Sequence, residues 1–267
     1  MSTSRSAGSV QYDNTDRVAI VTGGCSGIGL GICKRFLESE AKVICADIDQ
    51  TAAKSLPDGI AFRKCNTAIE QDCIETIRYA VDQFGGLDVL INNAAIQPTD
   101  SYHRINELPT EVFERMVKIN LGGYHLMAKH ALAQMRMQRS GVVCNIASGQ
   151  AHRTARQVGV YGPIKAANVM QSRQWAVEYA RDGIRVVSVS PGAIDTPLVR
   201  ASLAAQGGSK ALANRHPLGR IGHTDEVANA VLWLCSADAS FVTGTDLEVD
   251  GGLGAFGAFA DPYPNDG

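Results

Sequence analysis

Arg17-Val-Ala-Ile-Val-Thr-Gly-Gly-Cys-Ser-Gly-Ile-Gly29 is the stretch that decides how this chain folds. The apolar run Val18 to Val21 is expected to be a buried strand, and it leads straight into Gly23, Gly24, Gly27 and Gly29. An amphipathic helix follows, with Ile28, Ile32, Phe36 and Leu37 on its apolar side. Strand, glycine-rich turn and helix make the phosphate-binding opening of a dinucleotide fold. Glycine lets the backbone turn sharply and lets a pyrophosphate approach main-chain N–H groups, and the helix N-terminus adds partial positive charge. The spacing is T-G-x-x-x-G-x-G rather than G-x-G-x-x-G.

A second apolar strand, residues 42–46, ends at Asp47. An acid about 20 residues past such a turn is placed to accept hydrogen bonds from the adenosine ribose hydroxyls. Its carboxylate would repel a 2′-phosphate, and Gly24, Cys25 and Ser26 offer no cation to attract one. The residues therefore favour NAD over NADP.

With 267 residues and 45% apolar content, the chain has ample core for one large α/β domain. A net charge of −2 gives no general attraction to nucleic acid or to an anionic membrane, and no apolar run approaches spanning length. Residues 1–16 are polar and carry no signal-peptide core, which is read as a flexible tail on a cytoplasmic protein. The cysteines form no CxxC pair and the histidines show no metal spacing, so neither disulfides nor a metal are expected.

Strand-like segments at 17–22, 42–47, 59–64, 87–91, 142–147, 184–190 and 245–249 alternate with helix-like ones at 27–39, 69–84, 111–138, 159–181 and 224–235. This predicts an α/β fold, a doubly wound, Rossmann-like parallel sheet in a single domain over 17–252. Asn92-Asn93 directly after a buried strand can knit strand ends, and Ala94 and Ala95 leave room for a flat ligand. Asn120 lies inside a helix, where it competes for backbone hydrogen bonds and marks a distortion.

Tyr161 and Lys165 are four apart and project from one helix face. An ammonium beside a phenol favours the phenolate and lowers its pKa from about 10. Such a tyrosine can move a proton on an alcohol oxygen while hydride moves at the adjacent carbon. Ser148 follows a strand immediately and could donate to the same substrate oxygen.

Several motifs at family spacing make the chain resemble the short-chain dehydrogenase/reductase family over residues 17–252. They are Thr22 to Gly29, Asn92-Asn-Ala-Ala95, Asn120, Ser148, Tyr161-Gly-Pro-Ile-Lys165, Pro191-Gly192 and Val249-Asp-Gly-Gly252. The resemblance implies a catalytic set in which Tyr161 is the acid/base and Ser148 holds the substrate oxygen. Lys165 would bind the nicotinamide ribose and tune Tyr161, and Asn120 would hold a relay water. It also implies cofactor contacts from Gly23, Ser26, Gly27, Ile28, Gly29, Asp47, Ile48, Asn66, Thr67, Asn93, Ala94, Ala95, Tyr161, Lys165, Pro191, Gly192, Ile194 and Thr196. Asn66 and Ala95 stand where the family usually has Asp and Gly, and Pro163-Ile164 replaces the usual Ala-Ser. Because proline is tolerated only in a helix's first turn, the helix is expected to start a few residues before Tyr161.

The substrate end is expected to use Gln97, Ser148, Gln150 and Tyr161 under a small helical lid at about 197–216; Arg153 and Arg156 are read first as surface arginines, with contact to an anionic substrate group as the alternative. A C-terminal extension covers 253–267. The resulting expectation is an NAD-dependent oxidoreductase of a small-molecule secondary alcohol, polar or cyclic, such as a polyol or sugar derivative. A homotetramer is the family default, and neither nucleic acid nor membrane is an expected partner. The alternatives are a 3-oxoacyl thioester reductase and a non-catalytic nucleotide-binding protein of the same fold.

Overall fold

A computed structural model of the chain describes residues 8–203 and 208–257. Its strands are β1 (Val18–Thr22), β2 (Lys42–Asp47), β3 (Ile60–Lys64), β4 (Val89–Asn92), β5 (Gly141–Ile146), β6 (Ile184–Pro191) and β7 (Asp246–Val249). Its α-helices are α1 (Gly27–Glu38), α2 (Glu70–Phe84), α3 (Thr110–Val117), α4 (Gly123–Gln138), α5 (Tyr161–Tyr179), α6 (Pro197–Ser202), α7 (Gly208–Ala213) and α8 (Thr224–Cys235). All strand pairs are parallel, in the order β3-β2-β1-β4-β5-β6-β7. The order reverses between β1 and β4, so the carboxyl ends of these two strands open the crevice where such sheets bind ligands.

The two-residue period of each strand divides its side chains between two cores. Ala19, Val21, Val43, Cys45, Cys144 and Val187 pack with Ile32, Phe36 and Val231 of α1 and α8. Val18, Ile20, Ile44, Leu90 and Val143 pack on the other face with Ile77, Met127 and Trp175 of α2, α4 and α5. Each fully buried aliphatic side chain is worth about 1.5–3 kcal/mol relative to exposure, so both helical layers are held by the same strands. All seven cysteines are buried free thiols that pack within this interior.

The doubly wound parallel sheet forms as expected, with two helical differences. The stretch 111–138 is not one helix: a π-helical turn, Lys118–Gly122, separates α3 from α4, with Asn120 fully buried at its centre. The helix expected from 159 begins at Tyr161 itself. Pro163 then falls in the first turn, where its missing N–H is not needed, and the Ile164 N–H bonds to Val160 O at 3.1 Å.

The expectation of a flexible tail over 1–16 needs correction at residues 10–14; residues 1–7 lie outside the described residues. Asn14 is 3% exposed, its N–H bonds to Ser39 O at 2.7 Å, its amide donates to Ser39 Oγ at 2.8 Å, and it accepts from Arg17 at 2.7 Å. Arg35 reaches Val10 O at 3.3 Å, and Tyr12 packs against the α1/α8 core. Residues 10–14 are therefore anchored mostly by hydrogen bonds, which polar composition does not reveal. The expected lid holds α6 and α7, with 204–207 outside the described residues, as are Phe259 and Tyr263 of the extension.

Asn14→Ala should lower stability by about 1–3 kcal/mol, because it leaves buried partners unpaired. Urea unfolding checks this; an unchanged midpoint would make the segment a passive tail.

Candidate active site

The cofactor end is built where β1 and β4 diverge. Gly23 has φ +65°, and a Cβ on it would lie 2.9 Å from Ala94 Cα; a Cβ on Gly29 would collide with Gly23 O. Only a chain without side chains there can fold this turn against β4. Thr22 and Asn93 lock the junction. The Thr22 hydroxyl accepts from Asn93 N–H at 2.9 Å and Ala94 N–H at 3.1 Å, and the Asn93 amide donates to Thr22 O at 2.9 Å and Gly23 O at 3.2 Å. Ser26 caps α1 without a side-chain bond, so the first-turn N–H groups of Gly27, Ile28 and Gly29 have no intrahelical partner. This is the donor set a pyrophosphate needs.

Asp47 Oδ2 accepts from the Cys25 N–H and Oδ1 from the Asp49 N–H, both at 3.0 Å, which leaves each oxygen a further lone pair. Ile48, beside it, is 64% exposed. Asn66 Oδ1 takes the Ala68 N–H at 3.1 Å, so its amide NH2 is the part left for a ligand. Thr67 is buried against Gly123, where a Cβ would lie 2.6 Å from its hydroxyl.

Pro191 ends β6, and the chain to Thr196 returns toward the glycine turn. Gly192 N–H bonds to Val249 O at 3.0 Å, Ile194 bridges to Gly222, and a Cβ on Gly27 would lie 3.3 Å from Thr196 Cγ2. Thr196 caps α6 by accepting the Val199 N–H at 3.3 Å. A buried histidine unforeseen in this role fixes the segment. His216 Nε2 accepts the Ala193 N–H at 3.1 Å and Nδ1 donates to Leu212 O at 3.0 Å. An N–H can only donate and a carbonyl only accept, so His216 is the neutral Nδ1–H tautomer, stapling α7 to the loop after β6.

Ser148 follows β5; its Oγ accepts the Gln150 N–H at 3.2 Å, and its hydroxyl acts on the Tyr161 phenol. Lys165, one turn along α5, is 1% exposed. Its Nζ donates to Ile146 O at 2.7 Å and Tyr124 Oη at 3.1 Å, and it lies 5.6 Å from the Tyr161 ring centroid. Burial pushes the Tyr161 phenol above its ordinary value, Tyr102 adds to this, and the Ser148 hydroxyl pulls partly back. Burial also lowers Lys165 to about 7. The expected tuning of Tyr161 toward neutrality is thus not supplied by proximity alone; it requires Lys165 to hold its proton against burial.

Asn120 Oδ1 accepts Ile96 N–H at 2.8 Å and its amide donates to Ile96 O at 2.7 Å, which fixes the backbone just before Gln97. The Asn120 carbonyl accepts from Asn168 at 3.1 Å. Arg153 is tied to Leu253 O at 2.8 Å, so its bond joins the loop after β5 to the C-terminal segment. Thr22, Tyr124, Asn145, Asn168 and Ser172 escaped sequence reasoning as site residues. Their one signal was a polar side chain within an otherwise apolar strand or helix face. Among the described residues no cluster of three or more His, Cys, Asp or Glu is placed to hold a metal ion, and no helix is long and apolar enough to cross a membrane.

The family model described as enoyl-(acyl carrier protein) reductase matches residues 23–254. Cis-4-hydroxycyclohexanecarboxylate dehydrogenase of Sinomonas cyclohexanicum is 38% identical over 252 residues, covering 90% of this chain and 97% of that enzyme. The aldohexose dehydrogenase of Thermoplasma acidophilum has a similar structure, with a TM-score of 0.86, 32% identity, and coverage of 93% of this chain and 98% of that one. The 3-ketoacyl-(acyl-carrier-protein) reductase of Brucella melitensis, complexed with NADH, gives 0.84 at 30% identity, covering 91% and 100%.

Lys165 also predicts a pH-dependent stability. Its pKa is about 7 when folded against 10.5 for an ordinary lysine, so the folded state bears the full burial cost below pH 7. That cost disappears as pH rises from 7 to 10.5, because the folded protein gives up the proton first. Lys165→Met should therefore be more stable than wild type at pH 6–7, by about 3–5 kcal/mol, and the gain should shrink toward pH 10. Denaturant midpoints across that range test this; a pH-independent difference would contradict it.

Proposed function

The chain belongs to the short-chain dehydrogenase/reductase family of NAD(P)-binding oxidoreductases, and on that premise we propose that it is an NAD-preferring dehydrogenase. Its substrate in this reading is a polar or cyclic secondary alcohol, such as a polyol or sugar derivative, and the reverse reaction reduces the ketone. The observation that carries the reading is the Ser148–Tyr161 hydroxyl pair with the buried Lys165 amine behind it. In oxidation Tyr161 Oη, as phenolate, takes the proton from the alcohol oxygen while Ser148 Oγ holds that oxygen; in reduction the phenol returns it. The nicotinamide, when bound, supplies the hydride acceptor or donor. Lys165 would hold the ribose hydroxyls and favour the phenolate by its charge. The Asn120 side chain is spent on Ile96, so the backbone carbonyl is the group it would offer to a relay water.

Asp47 supports NAD. Its two remaining lone pairs suit two ribose hydroxyls, and a 2′-phosphate placed against it would cost on the order of 2 kcal/mol or more. A polar substrate is supported by Gln150, whose Oε1 is buried and meets no hydrogen-bond donor among the described residues. A substrate hydroxyl would satisfy it. Relatives acting on a cyclic hydroxy acid and on aldohexoses agree with this choice. The likeness to a 3-ketoacyl reductase favours a second reading, reduction of a 3-oxoacyl thioester. Assembly with further copies of the chain, as a homotetramer, is supported by an open apolar groove lined by Val117, Leu121 and Leu126, with Met170 and Val177 exposed on α5.

Catalytic efficiency with NAD should exceed that with NADP by roughly thirtyfold or more, and Asp47→Ala combined with Ile48→Arg should move the preference toward NADP. Initial rates with both cofactors, on cyclic alcohols, polyols and a 3-oxoacyl thioester, test cofactor and substrate together. Equal efficiency with NADP would contradict the role of Asp47. Turnover confined to the thioester would replace the alcohol reading with the second.

A further inference from the structure

The Lys165 amine has a neighbour with no assigned role. Tyr124 lies in the first turn of α4, just past the π-helical turn, and is 1% exposed. Its hydroxyl donates to Ile146 O at 2.9 Å, and Lys165 Nζ donates to the same carbonyl at 2.7 Å while sitting 3.1 Å from Tyr124 Oη. The phenol's single hydrogen is spent on the carbonyl, so Tyr124 Oη can only accept from Nζ. The Tyr124 ring centroid lies 4.9 Å from Nζ, which therefore sits beyond the hydroxyl end of the ring and not over its face.

We infer that Tyr124 is a positioning residue for Lys165: with the Ile146 carbonyl it fixes the orientation of the amine and leaves one tetrahedral position on Nζ for the crevice. An ammonium carries three hydrogens, and a neutral amine carries two and a lone pair. With two hydrogens committed to two fixed acceptors, the remaining position is an N–H in one state and a lone pair in the other. Gain or loss of the proton therefore needs no reorientation. Burial brings Lys165 to about 7, so both forms are populated near neutrality. Tyr124 weights that balance toward the ammonium, since its hydroxyl accepts a hydrogen bond that is stronger from the charged form.

The titratable groups around this amine are few. Tyr124 faces it from α4 and Tyr161 from its own helix, Tyr102 acts on Tyr161, and Cys144 of β5 acts on Tyr124. Burial keeps Tyr124 and Tyr161 protonated near neutral pH, and hydrogen bonding with Cys235 does so first for Cys144, ahead of burial. The charge on Lys165 is then the variable that Tyr161 senses, and the Tyr124 hydroxyl sets how firmly it is held.

The inference rests on the reading of Tyr161 and Lys165 as the acid–base pair, and its test separates the two. Tyr124→Phe keeps the ring and removes the acceptor. In cofactor-free protein carrying 13C-labelled lysine, with the Lys165 signal assigned by its loss in Lys165→Met, the titration midpoint should fall by about half to one pH unit. Alcohol oxidation at pH 7 should fall about three- to tenfold through kcat, with substrate KM within about twofold and the pH profile displaced to higher pH. Introduced into Lys165→Met, the same change should remove nothing further. An unchanged Lys165 midpoint, or an equal further loss in the Lys165→Met background, would overturn the positioning role. Full activity of Lys165→Met alone would overturn the acid–base reading, while the titration still decides the inference about Tyr124.

Discussion

A chain of buried amides spans the carboxyl edge of the sheet, and the site depends on it. Asn92 donates to Asn145 Oδ1 at 2.9 Å, and Asn145 donates to Ser172 Oγ at 2.9 Å. Ser172 donates to Asn168 O at 3.0 Å, and Asn168 donates to Asn120 O at 3.1 Å. Asn92, Asn145, Ser172, Asn168 and Asn120 are all fully buried. Polar groups this deep are costly unless paired, so each link holds its neighbours to one geometry. The chain joins β4 and β5 to α5, which carries Tyr161 and Lys165, and joins α5 to the π-helical turn. That turn in turn holds Ile96 by both its backbone groups. The distorted helix is thus part of the frame: an extra residue in the turn presents the Asn120 side chain and carbonyl in different directions at once.

Burial assigns different roles to the charged and chargeable groups. Asp47 stands at a strand end, where two backbone N–H groups hold its carboxylate oxygens in place, so it can meet a ligand with little reorganisation. Lys165 lies in the interior, where its charge is costly and its proton is loosely held. One group is a fixed charge suited to recognition and the other a movable one suited to proton transfer. Tyr161 lies between these regimes, raised by burial and eased by Ser148. In the proposed function, a lysine whose charge is costly to bury sits where a mobile proton is useful.

Much of this was legible in the sequence because a parallel sheet covered on both faces reads as unbroken apolar runs. The runs 18–21 and 142–144 are fully or almost fully buried strand residues, and Asp47 and Ser148 fall at the carboxyl edge where their positions placed them. The distortion expected at Asn120 is a π-helical turn. What was not legible arises from pairings between distant residues. Asn14 looked like tail composition until Ser39, 25 residues away, supplied its partner. Tyr124, Asn145 and Ser172 show locally only a polar side chain among apolar neighbours, and their roles exist only once β5 lies against α4 and α5. Tyr161 and Lys165 do share one helix, but the amine turns to Ile146 and Tyr124, a direction that i, i+4 spacing does not encode.

The central claim is that Tyr161 Oη moves the proton, and the pH–rate profile of alcohol oxidation in wild type and Tyr161→Phe, at saturating cofactor, tests it most directly. The account predicts a wild-type rate that rises with pH and a variant slower by about 10² to 10⁴, with cofactor affinity and unfolding midpoint little changed. A Tyr161→Phe enzyme with near-normal turnover and the same profile would contradict it and move the chemistry to another group.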